Sequence, residues 1–178
     1  LDAVLNMMAP PRIGSPEWPD IIRMPVLADI LERHLIGTVF HPIVRLPSRD
    51  HVGYEALARC DTPSPLRNPE TLFKYALRKD RVIDLEIECF TNSIRDGAPL
   101  AVSAPLFLNI HPDAFRSGPR LHEALLRAAE RSAVSPNRMV LEITEEGSLH
   151  GDIKVMEASE KLKNAGVRFA FDDVGIAY

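Results

Sequence analysis

The chain has 178 residues, of which 46% are hydrophobic and 26% are charged, as is typical of one globular domain with a sizeable core. Its net charge of −4 argues against a general nucleic-acid-binding protein, because such domains usually present a basic face. No apolar run approaches the roughly 20 residues of a membrane-spanning helix, and no signal-peptide pattern is visible. Cys60 and Cys89 form no metal-binding or disulfide pattern, which indicates free thiols in a reducing cytoplasm.

The N-terminal part of the chain predicts a linker, a helix and a hairpin. Residues 1–20 are predicted to be a linker or the tail of a preceding domain, since four prolines and a glycine crowd them. One domain is then expected over residues 21–178, and it starts with a helix over about 25–34. Strand-like segments at 39–46 and 52–59 are joined by a short polar turn, so they must run antiparallel.

The remainder of the chain alternates helices and strands. Asn68 and Pro69 predict the start of a helix that runs to about residue 81, and a second helix is predicted from 82 to 95, ending at Asp96-Gly97. Strands at 105–110, 138–144 and 167–172 then alternate with helices at 121–131 and 153–164, the last of which Gly166 closes. This rhythm predicts a parallel sheet with helical crossovers.

Polar residues stand within these apolar strands or at their ends. They are Glu55, Asn109, Glu142 and the pair Asp172-Asp173. Each alone could be a solvated carboxylate or part of a structural ion pair, but several acids at the same end of a sheet indicate a shared cation. Carboxylate and amide oxygens favour Mg²⁺, Mn²⁺ or Ca²⁺ over Zn²⁺. Strand-end residues of this kind are typical of the active-site face of a (β/α)₈ barrel. His111, by contrast, is interpreted as a strand-exit histidine that hydrogen-bonds to the backbone.

Five sequence blocks, in order, resemble the EAL domain family, whose name is spelled here by Glu55-Ala56-Leu57. The resemblance runs from about residue 37 to residue 178, and its blocks are His41 to Val44, Gly53 to Arg59, Leu108-Asn109, residues 141–145 and residues 171–173. The tripeptide alone would be a weak signal, whereas five ordered blocks make a strong one.

The resemblance implies a fold and an activity. The fold would be a modified (β/α)₈ TIM-type barrel with an antiparallel first strand, and the activity hydrolysis of cyclic di-GMP to linear pGpG at a two-metal site holding Mg²⁺ or Mn²⁺. By resemblance, the metal ligands are Glu55, Asn109, Glu142, Asp172 and Asp173, the catalytic residues are Glu55 and Asp173, and the substrate-binding residues are His41, Leu57 and Arg59. Arg59 would contact a ligand phosphate, which suits the fork of donors on a guanidinium group.

Two departures from the family pattern keep a second function open. His41 stands where the family usually has glutamine, and the segment after the paired acids has Ala177 in place of a second glycine. A degenerate EAL module that binds cyclic di-GMP, or docks a protein partner, without turnover is therefore the alternative hypothesis.

The domain is expected to be incomplete in this chain. About five of the eight strands are predicted, and the lysine, glutamate and glutamine of the family's later motifs would lie beyond Tyr178. We therefore expect little hydrolysis by the 178-residue chain alone, and a homodimer or a swapped assembly that covers the open strand edges. The expected partners are cyclic di-GMP and an N-terminal sensory or regulatory domain.

Overall fold

The computed structural model describes residues 26–115, 119–144 and 153–172. The predicted linker at residues 1–20 lies outside these ranges, and so does Asp173. The helices and strands are α1 (Leu27–Glu32), β1 (Ile36–Val44), β2 (His51–Cys60), α2 (Pro69–Arg78), α3 (Val82–Ala101), β3 (Leu106–Asn109), α4 (Pro112–Phe115), α5 (Pro119–Arg131), β4 (Met139–Thr144), α6 (Ile153–Ala165) and β5 (Arg168–Asp172).

The five described strands form one sheet in the order β1-β2-β3-β4-β5. The hairpin of β1 and β2 is antiparallel, and each later strand is parallel to the one before it. This topology confirms the predicted hairpin followed by helical crossovers, and it gives an open, incomplete TIM-type barrel. Within the described residues, no helix is long and apolar enough to cross a bilayer.

The strand register decides which side chains meet the helices. Ala56, Leu108 and Leu141 are successive register partners, and all three are buried in the core. Because side chains alternate across a strand, the residues next to this row project from the opposite face. Glu55, which precedes Ala56, therefore lies on the same face of the sheet as Asn109 and Glu142, which follow the two leucines.

Helix ends follow the local chemistry that the sequence indicated. Asn68 caps α2, since its side-chain oxygen accepts a hydrogen bond from the Thr71 backbone N–H at 3.1 Å, and Pro69 occupies the first turn. Gly166 ends α6 with a φ of 104°, a left-handed conformation that glycine adopts without strain. The short helix α4 was not predicted from the sequence.

The predicted end of α3 at Asp96-Gly97 is wrong, because the helix continues through Gly97 and Pro99 to Ala101. Gly97 serves packing rather than termination. A Cβ placed there would lie 2.8 Å from Leu106 Cδ1 and 3.0 Å from Phe40 Cε1, which is closer than ordinary carbon contacts. Glycine thus allows α3 to lie directly on β1 and β3.

Replacing Gly97 tests this packing. Gly97→Ala should destabilise the chain by about 1–3 kcal/mol through overpacking, although alanine would favour an isolated helix by about 1 kcal/mol. Gly37→Ala is the control, because the nearest atom to its added Cβ is Arg59 O at 4.0 Å. Urea denaturation gives both free energies of unfolding. A Gly97→Ala variant as stable as the parent chain would contradict the packing argument.

Candidate functional site

Two of the predicted site residues are in direct contact. The Asn109 amide, on the last residue of β3, donates a hydrogen bond from Nδ2 to Oε1 of Glu55 on β2 at 3.0 Å. Glu55 is half-buried and Asn109 is exposed. A carboxylate and an amide from neighbouring strands therefore meet on the face of the sheet opposite the helices.

The next two strands extend this group of polar residues. Glu142 on β4 is the register partner of Asn109, so the two residues are neighbours across parallel strands. Asp172 is the last residue of β5 and the register partner of Thr144. The backbone thus places Glu142 within the second half of β4 and Asp172 at the carboxyl end of the adjacent strand β5. Asp173 belongs to the predicted set but lies outside the described residues.

The donor chemistry of this group fits a hard cation. Glu55 and Glu142 offer carboxylate oxygens and Asn109 offers an amide oxygen, which are the ligand types that Mg²⁺, Mn²⁺ and Ca²⁺ prefer. Among the residues that the structure describes, no three His, Cys, Asp or Glu side chains lie close enough to hold a metal ion by themselves. Asn109 is not among those residue types, so a site that depends on its amide is compatible with this finding.

The three predicted substrate-binding residues lie on the hairpin of β1 and β2. His41 is the register partner of Glu55 and is exposed, so it lies beside the candidate cation site. Leu57 and Arg59 follow Glu55 at intervals of two, which puts all three on one face of β2. Arg59 is exposed, and its Nη1 donates a hydrogen bond to the Ala58 carbonyl at 2.8 Å.

A cavity of about 240 Å³ opens beside these residues, between the ends of β2 and β3 and the helices α2 and α3. Leu57, Arg59 and Asn109 line it from the sheet. Phe73 of α2 and Glu86 of α3 line it from the helices. The cavity thus reaches Asn109 of the candidate cation site, and it carries one guanidinium and one carboxyl group among mostly apolar side chains.

Glu86 is a buried acid with an unusual proton affinity. Its side chain is 1% exposed, and burial raises its pKa to about 8, although the hydrogen bond from the His111 backbone opposes this shift. The two atoms of that bond, His111 N and Glu86 Oε1, are 2.6 Å apart. The carboxyl group is consequently mostly protonated at neutral pH.

His111 fits its interpretation as a strand-exit histidine. Its Nδ1 accepts a hydrogen bond from the Asp113 backbone N–H at 3.2 Å, and its ring stacks on Phe73 with centroids 6.2 Å apart and planes 8° apart. The predicted free thiols are also confirmed, since Cys60 and Cys89 are both unbridged and buried. Burial raises the pKa of both thiols, which disfavours the reactive thiolate.

Sequence reasoning missed Glu86 and Phe73. A detectable signal existed for Glu86, because Val82, Cys89, Phe90 and Ser93 share its helix face at intervals of three and four residues, and these neighbours are buried. A carboxyl group on an apolar stripe is a candidate for a buried role. Phe73 carried no comparable signal, since an aromatic residue on an amphipathic helix is ordinary core.

Comparison with known proteins gives a family and, among the curated proteins, a phosphodiesterase as a relative. The model of the EAL domain family matches residues 26–178. The cyclic di-GMP phosphodiesterase RocR of Pseudomonas aeruginosa is 25% identical over 185 residues, which cover 100% of this chain and 47% of RocR. The chain therefore spans about half the length of the curated relative that it matches.

Solved structures show the same fold. BlrP1 of Klebsiella pneumoniae, in a complex with calcium and cyclic di-GMP, matches 81% of this chain and 36% of its own with a TM-score of 0.69 and 20% identity. A standalone EAL protein of Vibrio cholerae O395, with cyclic di-GMP bound, matches 79% of this chain and 57% of its own with a TM-score of 0.62 and 25% identity. Because the family model matches residues 26–178, which is most of its length, this chain belongs to the EAL domain family.

Proposed function

We propose that the protein containing this chain hydrolyses cyclic di-GMP to linear pGpG with Mg²⁺ or Mn²⁺. The observation that carries this proposal is the 3.0 Å contact between Asn109, at the end of β3, and Glu55 on the neighbouring strand β2, with Glu142 next to Asn109 in register. The curated relative is a cyclic di-GMP phosphodiesterase, and BlrP1 has been crystallised with calcium or manganese and the same dinucleotide. RocR and BlrP1 both support the substrate, and the BlrP1 complexes support a divalent cation beside it.

The site residues divide into cation ligands and phosphate contacts. Glu55, Asn109, Glu142, Asp172 and Asp173 are proposed to hold the cations, and Asp173 also to orient the attacking water. Bound cations would supply water activation and stabilisation of the charge that grows on the phosphodiester.

Substrate binding is assigned to the hairpin residues. Arg59 is proposed to bind a phosphate group, because it is exposed and lines the same cavity as Leu57 and Asn109. Leu57 and His41 are proposed to contact the ligand from the same face of the sheet. These roles require a position beside the cations, which the register of β1, β2 and β3 supports.

Assay of the full-length protein tests the proposed activity. We expect release of pGpG from cyclic di-GMP in Mg²⁺ or Mn²⁺ and none in a chelator, as measured by liquid chromatography. The 178-residue chain serves as the comparison and is expected to release far less product, since the family's later catalytic motifs are not among its residues. A folded, metal-loaded full-length protein that forms no pGpG would refute the proposal.

A second candidate function is a receptor that binds cyclic di-GMP without turnover. The observation that favours it is His41, an imidazole in place of the family's usual glutamine, located directly opposite Glu55. Calorimetry on the full-length protein separates the two functions. Measurable affinity for cyclic di-GMP without product supports the receptor, whereas product supports the enzyme.

The remaining expectations about the protein's setting are part of the same proposal. A cytoplasmic location is supported by the two buried free thiols, because such thiols persist in reducing compartments. A homodimer or swapped assembly is supported by β5, the last strand of the described sheet, whose Phe171 is 71% exposed. The proposed N-terminal sensory or regulatory domain would supply the input to this signalling module.

A further inference from the structure

Glu86 connects the buried side of α3 to the loop that follows β3. Its Oε1 atom accepts the backbone N–H of His111 at 2.6 Å, and His111 is two residues beyond Asn109. The side chain is 1% exposed and has no salt-bridge partner among the described residues. Burying this carboxyl group therefore has a larger desolvation penalty than burying an apolar side chain at the same position.

The same loop is held at several other points. The Ile110 N–H donates to the Glu142 carbonyl oxygen at 3.0 Å, which extends the ladder between β3 and β4 by one residue. The Asp113 N–H donates to Nδ1 of His111, and the His111 ring stacks on Phe73. Glu86 supplies the acceptor for the N–H that follows the last ladder bond. It therefore restrains the backbone where β3 ends.

We propose that Glu86 is a positioning residue for the cation site, holding the His111 N–H so that the end of β3 presents the Asn109 amide to Glu55. This inference rests on the proposed function, because it assigns Glu86 a role in the site that Asn109 and Glu55 would form. Glu86 itself acts through the loop and is not assigned a contact with the cation.

The physical reason is the restriction of the Asn109 backbone. The Asn109 amide must hold its place within a few tenths of an ångström to keep a ligand at the distances of 2.0–2.6 Å that these cations require. If the His111 N–H lost this acceptor, the loop after β3 would lose its hydrogen bond to α3 and would shift toward another acceptor. Mutating a residue that orients a metal ligand without touching the metal typically lowers metal affinity by about 10–100-fold.

The isosteric and the truncated variants of Glu86 should behave differently. Glu86→Gln keeps an oxygen acceptor of nearly the same size, and the parent side chain is mostly neutral at pH 7, so Mn²⁺ affinity should stay within about 3-fold. Glu86→Ala removes the acceptor and should weaken Mn²⁺ binding at least about 10-fold. Met139→Ala is the control, since Met139 is fully buried at the opposite end of the neighbouring strand.

The experiment is a Mn²⁺ titration of the full-length protein at pH 7, followed by electron paramagnetic resonance, with melting temperatures measured on the same samples. Positioning predicts weaker Mn²⁺ binding in Glu86→Ala, rescue in Glu86→Gln, and a lower melting temperature without loss of affinity in Met139→Ala. If Glu86→Ala does not fold, hydrogen exchange of the His111 amide in the parent protein and in Glu86→Gln still tests the contact, because slow exchange is expected in both.

The results that would contradict the role of Glu86 differ from those that would contradict the proposed function. Unchanged Mn²⁺ affinity in a folded Glu86→Ala variant, equal losses in Glu86→Gln and Glu86→Ala, or fast exchange of the His111 amide would overturn it and leave the proposed function standing. A parent protein that binds no Mn²⁺ would overturn the metal-dependent function together with this inference.

Discussion

Glu55→Gln should lower cyclic di-GMP hydrolysis by the full-length protein by about 100-fold or more, because it removes an anionic ligand from the proposed cation site. The loss should be chemical rather than structural. Glu55 is half-buried, the substitution preserves size, and the new side chain keeps an oxygen that can accept the Asn109 hydrogen bond. Product release by chromatography and Mn²⁺ affinity by paramagnetic resonance should therefore fall together while the melting temperature changes little.

The matched control is Glu70→Gln on α2. Glu70 is also a glutamate, but it is fully solvated and pairs with Lys74 one helical turn away, so its replacement should leave turnover within about 2-fold. If Glu55→Gln retained more than half of the parent activity, Glu55 could not be a cation ligand, and the assignment of the site would have to change.

The second large effect concerns the pH dependence of stability. A glutamate with a pKa near 4.5 when unfolded and about 8 when folded binds more protons in the folded state between these values. Its contribution to stability is therefore fully present below pH 4.5 and is lost as the pH rises to about 8. The slope is about 1.4 kcal/mol per pH unit where the folded form holds the proton and the unfolded form has lost it.

Comparison of the parent chain with Glu86→Gln isolates this effect. His122 has the opposite influence, since burial and then Lys161 lower its pKa, so its contribution grows as the pH rises toward 6.5. This contribution is common to both proteins and cancels in the difference. We expect urea denaturation at pH 5, 6, 7 and 8 to show that the free energy of unfolding of the variant rises relative to that of the parent by about 1.4 kcal/mol per pH unit up to pH 7, and by less as the pH approaches 8. A difference that does not vary with pH would mean that Glu86 is ionised in the folded chain.

Local sequence patterns predicted the order and type of most elements. The polar turn between two strand-like segments forced an antiparallel hairpin, and the alternation after it required parallel strands with crossovers. The Asn68 cap and the Gly166 terminus were predicted because capping depends on neighbours in sequence. The end of α3 was predicted wrongly, because glycine and proline are ambiguous until the element packed against them is known. At Gly97 that element is β3, whose Leu106 side chain would contact an added Cβ.

The same distinction between local sequence and tertiary packing applies to the candidate site. Sequence alone determined the family, the placement of Glu55, Asn109 and Glu142 on strands, and the all-oxygen character of the proposed donor set, since these follow from motif order and from alternation along strands. Only the tertiary structure decided that Asn109 touches Glu55, and that Glu86 lies under the loop after β3 with its proton retained. The reason is physical: a pKa is set by burial and by partners distant in sequence, and neither exists until α3 packs onto the sheet.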